Sequence, residues 1–310
     1  MLNAPAAPAP TYKSGKKSVA PAGAASPDEV RGAALQFLGQ LAAEVSAGTV
    51  DLPCFPNIVL RIRNALADPK NTPEQTVKIV GAEPRLAARL LQTANSAAFN
   101  PSGKPLTELR TAITRLGHQL VQSAAMAFAV QHMKDEDSLR SIAEPLSALW
   151  KESISVAAIC QVVAKHTKVT PDEAFLTGLL HGIGRLYIMV RAVGKADEFR
   201  HQESFLDLIS GWQASIGKAV LENWGFAEEM CEAVADQGDY ERNHKHDAEL
   251  SDVLIVSIML AESLKMPAPH VVDMEGATAF STIGLSEKDC STILTHAELQ
   301  LGSLQDALGC

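Results

Sequence analysis

The residue in this chain best suited to chemistry is His181, which is followed by Gly182 in the run TGLLHGIGR of residues 177–185. An imidazole beside a carboxylate can hold a divalent metal, and the metal can activate water for hydrolysis. Glycine supplies no ligand, base or charge at the position where that chemistry needs a carboxylate. One histidine cannot hold a catalytic metal tightly. The run therefore predicts an active-site scaffold without its metal chemistry, with His181 as a hydrogen-bonded core residue.

A second histidine cluster, His244-Lys245-His246-Asp247, stands in polar surroundings, which predicts an exposed loop without specific metal binding. Other catalytic templates are absent. The sequence has no phosphate-binding Gly-x-x-x-x-Gly-Lys-Ser/Thr loop, no Gly-x-Gly-x-x-Gly, no Gly-x-Ser-x-Gly and no His-Glu-x-x-His. Its five cysteines are scattered singly, without a Cys-x-x-Cys pair. These absences predict that the chain is not an enzyme and needs neither a metal nor another cofactor.

The composition of the 310-residue chain limits its partners. A formal net charge of −9 argues against nucleic-acid binding, which normally needs a basic face, so no DNA partner is expected. Unpaired cysteines in odd number fit reduced thiols and a cytoplasmic location. The longest candidate membrane run, residues 116–133, contains histidines and glutamines and is interpreted as a core helix, so no membrane partner is expected.

Helix-start signals divide the chain. Residues 1–25 are rich in Ala and Pro with a few lysines, which predicts a disordered tail. The run SPDE at 26–29 reads as a capping box and predicts an N-terminal helical segment over 26–50. The run TPEQ at 72–75 reads as another capping box, and the run TPDE at 170–173 is expected to cap a further helix through Thr170.

Apolar residues at helical spacing predict the remaining elements, among them two helices on either side of Gly117 and a long apolar helix over 142–166. Period-two alternation and Asn-Gly hairpin signals are missing. The fold class is therefore predicted to be all-α, a multi-helix bundle with an N-terminal helical subdomain.

Four stretches in this order resemble the HDOD family, the HD-related output domain of bacterial signalling proteins. They are LPCFP at 52–56, ARLLQTANSA at 88–97, AITRLG at 112–117 and AFLTGLLHGIG at 174–184. With Leu149-Trp150 and the segment 217–225, they assign an HDOD domain to residues 51–245. The segment 246–310 then supplies C-terminal helices that complete the core. The resemblance implies a fold related to HD-type phosphohydrolases, in proteins of bacterial regulation that are generally not catalytic.

The resemblance also implies where metal ligands would lie, and the chain departs from the pattern there. The position of a ligand histidine after Trp150-Lys151 is Glu152, and the His-Asp pair is His181-Gly182. A later histidine corresponds to Gln213, and a histidine pair corresponds to Gln237-Gly238. Only His181 remains of the implied set, so a degenerate site at these positions is expected.

Three functions follow as hypotheses. The first is a non-catalytic regulatory module that binds signalling proteins. The sequence indicates neither the identity of these partners nor the oligomeric state of the chain. The second is a sensor of a small ligand such as a signalling nucleotide, which would use the room beside Gly182, with Glu152, Gln213 and Arg185 lining the pocket. The third is a residual metal-dependent phosphohydrolase built on His181 and Glu152.

The distinctive polar residues of the matching stretches are Arg89, Asn95, Ser96 and Arg115. In the first hypothesis they could contact a partner. Their structural interpretation is preferred, because side chains of this kind commonly form hydrogen bonds with nearby backbone, as helix caps or within buried networks.

Overall fold

The protein was analysed as a computed structural model that describes residues 27–50, 52–96, 99–100, 103–193, 203–265 and 272–308. The predicted disordered tail lies outside these residues. Within them the secondary structure is helical and no strand occurs, so the all-α prediction is confirmed. The α-helices are α1 (Pro27–Ser46), α2 (Asn57–Ala67), α3 (Pro73–Gly81), α4 (Pro84–Asn95), α5 (Leu109–Asp135), α6 (Ala143–Val163), α7 (Pro171–Leu180), α8 (Ile183–Arg191), α9 (Glu203–Asn223), α10 (Glu228–Asp236), α11 (Leu250–Ser263), α12 (Thr278–Ile283) and α13 (Glu287–Leu308).

Two predicted helix starts show how local sequence sets these bounds. At α3 the capping box is confirmed: the Thr72 side chain accepts from the Gln75 backbone N–H, and the Gln75 side chain accepts from the Thr72 N–H. At α7 the helix begins at Pro171 as expected, but the predicted cap is wrong. Thr170 makes no side-chain cap bond; its hydroxyl donates to the Glu173 carboxylate at 3.2 Å instead.

The break at Gly117 is also present, since this residue has φ 74° and ψ 169° inside α5. Only glycine adopts such backbone angles readily, so α5 runs as two helical halves joined by a kink. The second half is strongly buried. Helix α5 as a whole contacts the N-terminal helices α2–α4 and the central helix α6.

Helix α6 lies at the centre of the bundle, in contact with α7, α11 and α13. Its approach to α7 requires Gly178, because a Cβ at that position would lie 2.7 Å from Ala157 Cα. The α8–α9 approach requires Gly184 in the same way: a Cβ there would lie 1.9 Å from the Gln213 carbonyl oxygen. These two backbone contacts fix the ends of α7 and α8 between α6 and α9.

One segment of the described chain, Asp137–His166, is long and apolar enough to cross a membrane, but 67% of its apolar window is buried in the fold. That burial is the pattern of a core helix, and α6 supplies most of this segment.

The C-terminal helices pack on the same helix, with α11 and α13 both in contact with α6. At the other end, α1 packs on α9, where the Asn223 amide donates to the Val45 carbonyl oxygen at 3.0 Å.

Candidate functional site

His181 is the residue directly after α7, and its side chain is buried. Nδ1 lies 2.7 Å from the Gly178 carbonyl oxygen, so the ring donates an N–H one turn back along its own helix. Burial lowers the pKa of His181 below the ordinary histidine range, against the opposing effects of this hydrogen bond and of Glu152. The imidazole is therefore neutral near pH 7, and one of its two nitrogens is engaged by backbone.

The space beside Gly182 is filled by helix α6. A Cβ at position 182 would lie 2.8 Å from Leu149 Cδ1 and 3.4 Å from Ser153 Oγ. The cavity that remains has a volume of about 20 Å³, and its other walls are apolar side chains such as Met126 and Leu186. That volume holds about one water molecule. Leu149 therefore occupies the room directly beside Gly182 that the missing side chain leaves, and the pocket expected to be lined by Glu152, Gln213 and Arg185 stays a prediction.

Glu152 lies one turn along α6 from Leu149 and faces two cations. Its carboxylate is 3.5 Å from Arg185 Nη1 and 3.2 Å from Lys265 Nζ. Arg185 comes from α8, and Lys265 lies just after α11. Arg185 thus pairs with Glu152, a role that differs from the expected one of lining an open pocket. Lys265 was not identified from the sequence, because it lies 113 residues from its partner and belongs to no motif.

The two glutamines at the remaining implied positions both lie at contacts between helices. Gln237 is buried at the end of α10, and its amide nitrogen donates to the Val234 carbonyl oxygen at 2.7 Å and to the His181 carbonyl oxygen at 3.3 Å. Gln213 lies on α9, where its backbone carbonyl packs against Gly184. The structure thus brings His181 next to Gln237, and Glu152 next to Arg185, at the junction of α6, α7, α8 and α10.

The residues of this junction do not fit a divalent metal. Ligands would have to be histidine nitrogens or carboxylate oxygens, converging on one point. Here one buried neutral histidine stands near one carboxylate, which two cations already neutralise. Nowhere in the described parts of the chain do three His, Cys, Asp or Glu side chains group closely enough to hold a metal. A positively charged guanidinium and ammonium stand where a metal centre would need negative charge.

The second histidine cluster differs from the expected exposed loop at one of its members. His246 and Asp247 are exposed, but the side chain of His244 is only 13% exposed, and its Nε2 lies 2.9 Å from Oδ2 of the fully buried Asp252. Arg242 Nη1 reaches Oδ1 of the same carboxylate at 3.2 Å. The sequence signal for this arrangement is the Glu249-x-x-Asp252 capping box at the start of α11, which directs Asp252 back toward the preceding loop.

The polar residues of the stretches that resemble HDOD proteins mainly support the loop between α4 and α5. The Asn95 amide donates to the Leu91 and Leu106 carbonyl oxygens at 2.9 and 2.8 Å and accepts from the Leu106 N–H at 2.7 Å. Arg115 Nη1 donates to Asn100 Oδ1 at 2.8 Å. Ser96 bonds back to the Thr93 carbonyl oxygen at 2.8 Å. These contacts favour the structural interpretation of Asn95, Ser96 and Arg115.

The family model described as the HDOD domain matches residues 52–240. One curated relative, an uncharacterized protein from Treponema pallidum (strain Nichols), is 22% identical over 233 residues, which are 72% of this chain and 44% of the relative. The chain therefore spans less than half the length of that relative.

Three solved structures show the same fold at low identity. A proposed metal-dependent phosphohydrolase from Shewanella amazonensis SB2B has a TM-score of 0.67 and 24% identity, with 89% of this chain and 99% of that chain covered. An HDOD domain protein of unknown function from Geobacter sulfurreducens has a TM-score of 0.60 and 22% identity, with 88% and 98% covered. A proposed signal transduction protein from Marinobacter aquaeolei VT8 has a TM-score of 0.60 and 19% identity, with 90% and 66% covered.

Proposed function

The chain belongs to the HDOD family, and from this premise we propose that it is a non-catalytic regulatory module of bacterial signal transduction that acts by binding other signalling proteins. The family match agrees with the resemblance carried by the four sequence stretches. A solved relative of the same fold is described as a signal transduction protein, which supports the regulatory part of the proposal. The interaction part is inferred from the loss of ligand residues at the degenerate site, since a family scaffold without that chemistry is left with binding as its role.

One observation carries the non-catalytic part. Leu149 fills the space beside Gly182, and Arg185 and Lys265 both contact the Glu152 carboxylate. The position that would bind a metal and a substrate phosphate is thus an apolar contact bordered by a salt-bridge cluster. Such a junction stabilises helix packing, and the cavity left beside Gly182 has a volume of about 20 Å³, which supports the non-catalytic part of the proposal.

The competing function is a residual phosphohydrolase, because the Shewanella relative is described as a proposed metal-dependent phosphohydrolase. The test is to purify the chain, measure bound Mn, Fe and Zn, and assay cyclic dinucleotides and (p)ppGpp with each metal added. We expect less than stoichiometric metal and no turnover. Stoichiometric metal with turnover that His181→Ala abolishes would overturn the proposal.

The interaction part needs its own experiment. Tagged chain would be recovered from the native bacterium with its bound proteins, and each enriched signalling protein would then be purified and titrated against the purified chain. We expect at least one response regulator, kinase or nucleotide cyclase to bind saturably with fixed stoichiometry. If none of the recovered proteins binds the purified chain, partner binding is wrong, whatever the metal analysis shows.

A further inference from the structure

Arg63 lies half-buried on α2 and has no negatively charged partner in the described part of the chain. Its Nη1 atom donates to the Asn64 side-chain oxygen at 2.9 Å, and its guanidinium carbon lies 5.0 Å from the centroid of the Phe226 ring. A guanidinium has five N–H donors, so most of its hydrogen-bonding capacity is unused here. A half-buried cation in this state is suited to an acceptor from outside the chain.

The surroundings of Arg63 leave its charge uncompensated. Burial lowers the pKa of the Arg63 guanidinium, the Cys231 sulfur opposes this shift, and no carboxylate of the described residues contributes. The other cation beside Cys231 is Lys218, which already pairs with Glu232 and Glu222. An anionic group brought by another molecule would therefore stabilise Arg63 without breaking an ion pair of the described chain.

Aromatic side chains lie beside the arginine on the turn between α9 and α10. Trp224 stacks on Phe55, with ring centroids 4.8 Å apart, and Phe226 lies under the guanidinium; Phe55 and Phe226 are half-buried. Between them Gly225 has φ 72°, and a Cβ there would lie 2.8 Å from Arg63 Nη1, so the turn needs glycine for both reasons. We name the surface formed by Phe55, Arg63, Gly225 and Phe226 the Arg63 patch. Arginine and aromatic side chains carry much of the binding energy at protein interfaces.

The loop that carries Phe55 is held in an unusual conformation. Cys54 has φ 63°, in the left-handed region that favours glycine. The Phe55 N–H donates to the Leu52 carbonyl oxygen at 3.2 Å, and Cys54 Sγ lies 3.5 Å from Ser138 Oγ. Such backbone persists where the surrounding contacts determine it, which is common at functional sites. The ring of Phe55 is thus positioned before a partner binds, which lowers the entropic cost of binding.

We propose that the Arg63 patch is the surface on which this chain binds a partner protein, with Arg63 pairing with an Asp or Glu side chain of the partner. Phe55 and Phe226 contact the apolar side chain next to that carboxylate. The inference rests on the proposed function of partner binding, and it names the surface and the chemistry of the partner.

A protein carboxylate fits the patch better than other anions do. A single guanidinium offers one positive charge and a pair of parallel donors, which match one carboxylate. Nucleic acids and anionic membranes are bound by several cations close together. Here the exposed Glu228 and Glu229 follow shortly after Phe226, and the whole chain has a net charge of −9. The half-buried aromatic rings add the apolar contact that a protein segment supplies.

The test selects random peptides of about 12 residues, displayed on phage, against the purified full chain. We expect the enriched peptides to share an Asp or Glu beside an aromatic or aliphatic residue. In isothermal titration with one such synthetic peptide, Arg63→Met should weaken binding about tenfold, and replacing the acidic residue of the peptide by its amide should do the same. Because the two groups pair, both changes together should cost little more than either one.

Arg61→Met is the matched control, since Arg61 lies on the same helix, is exposed and forms no ion pair with the described residues. It should leave peptide binding unchanged. Arg63→Met retains an unbranched side chain beside Phe226 and removes only the charge, so its melting temperature should equal or exceed that of the wild type. A merely structural arginine would instead lower the melting temperature and leave the peptide's acidic residue without effect.

Several outcomes would overturn the assignment of the patch. They are the enrichment of no peptide, enriched peptides without an acidic residue, additive losses in the double substitution, and displacement of the peptide by duplex DNA or phosphatidylglycerol vesicles at physiological salt. If a native signalling protein binds the wild type and Arg63→Met equally, the proposed function stands and the Arg63 patch is wrong. If no native protein binds the purified chain, the proposed function itself fails.

Discussion

Leu149 occupies the space into which a side chain at position 182 would project, with its Cδ1 atom 2.8 Å from an ideal Cβ on Gly182. The two residues come from different helices, α6 and the α7–α8 junction, so the contact depends on how these helices pack. Where a carboxylate was expected, the Leu149 side chain packs against the Gly182 backbone. The position at which the resemblance implied a carboxylate ligand is thus part of the hydrophobic core in this chain.

Gly182→Asp should therefore destabilise the fold without creating a metal site. The new carboxylate would meet Leu149 in a pocket with apolar walls, so we expect a loss of more than about 3 kcal/mol in the free energy of unfolding, as for other unpaired buried charges. Urea denaturation measures this loss. Adding Leu149→Ala should recover part of the steric component.

The control for this substitution is Gly211→Asp on α9, where a Cβ meets nothing within 4 Å. There we expect a change within about 0.5 kcal/mol, as at other exposed sites. Equal effects at positions 182 and 211 would contradict the packing of Leu149 described above.

Gly184→Ala should be more damaging than its single added methyl group suggests. The new Cβ would lie 1.9 Å from the Gln213 carbonyl oxygen and 2.6 Å from the Gly217 backbone nitrogen, so α8 and α9 would have to separate. Because backbone cannot rotate away as a side chain can, we expect a loss of more than about 3 kcal/mol.

Gly211→Ala provides the comparison for this prediction, since it adds the same methyl group to an open face of α9. It should stabilise the helix by about 0.5 to 1 kcal/mol. A thermal melt that shows similar midpoints for the two variants would refute the close approach of α8 and α9.

The fold class could be predicted because its signals are local. The capping box at Thr72, the helix start at Pro171 and the break at Gly117 each depend on a few neighbouring residues, and the structure has all three. The missing cap bond at Thr170 shows that a residue pattern can predict a helix start without predicting the hydrogen-bond partner of its first side chain. That hydroxyl donates to the nearby Glu173 carboxylate instead of accepting from backbone.

The candidate site could be predicted only in its loss of ligands. That Gly182, Gln213 and Gln237 supply no strong metal ligand follows from residue types, but what replaces the ligands depends on tertiary packing. Leu149 reaches Gly182 from another helix, and Lys265 reaches Glu152 across 113 residues of sequence. The spacing of residues in the sequence does not indicate contacts between positions that lie so far apart. The burial of His244 was missed because its neighbours in sequence are polar, although the Glu249-x-x-Asp252 capping box was a local signal for its contact with Asp252.

Arg242 is expected to be important for the loop between α10 and α11. Its guanidinium contacts Asp252 at 3.2 Å, Asp236 at 3.2 Å and Glu249, and the Asp252 side chain is fully buried. Arg242→Gln would leave a buried carboxylate with weaker compensation, so we expect a loss of about 2 to 4 kcal/mol in unfolding free energy.

Arg140→Gln is the control for Arg242→Gln. Arg140 pairs with Asp137 at 2.7 Å, but these side chains are 82% and 88% exposed, so its loss should cost less than about 0.5 kcal/mol. A double variant, Arg242→Gln with Asp252→Asn, should recover part of the lost stability because the buried charge is removed. Chemical denaturation of the wild type and the three variants measures the free energy of unfolding. An equal loss for Arg140→Gln and Arg242→Gln would contradict the importance of the buried pair.

The burial of His181 predicts a specific pH dependence. Its pKa is lowered in the folded protein, chiefly by desolvation, and Arg185 and Lys265 lower it further, while the Gly178 hydrogen bond and Glu152 oppose the shift. The unfolded chain binds the proton near the ordinary histidine pKa of about 6.5. The contribution of the neutral imidazole to stability is therefore fully present above about pH 6.5 and is lost as the pH falls from there toward the folded pKa.

His181→Asn keeps a side-chain N–H that can reach the Gly178 carbonyl oxygen but removes the titration. Between pH 7 and pH 5 the unfolding free energy of the wild type should decrease more than that of the variant, as measured by urea denaturation at each pH. Parallel pH profiles for the two proteins would show that folding does not lower the pKa of His181, and the lowered pKa described here would be wrong.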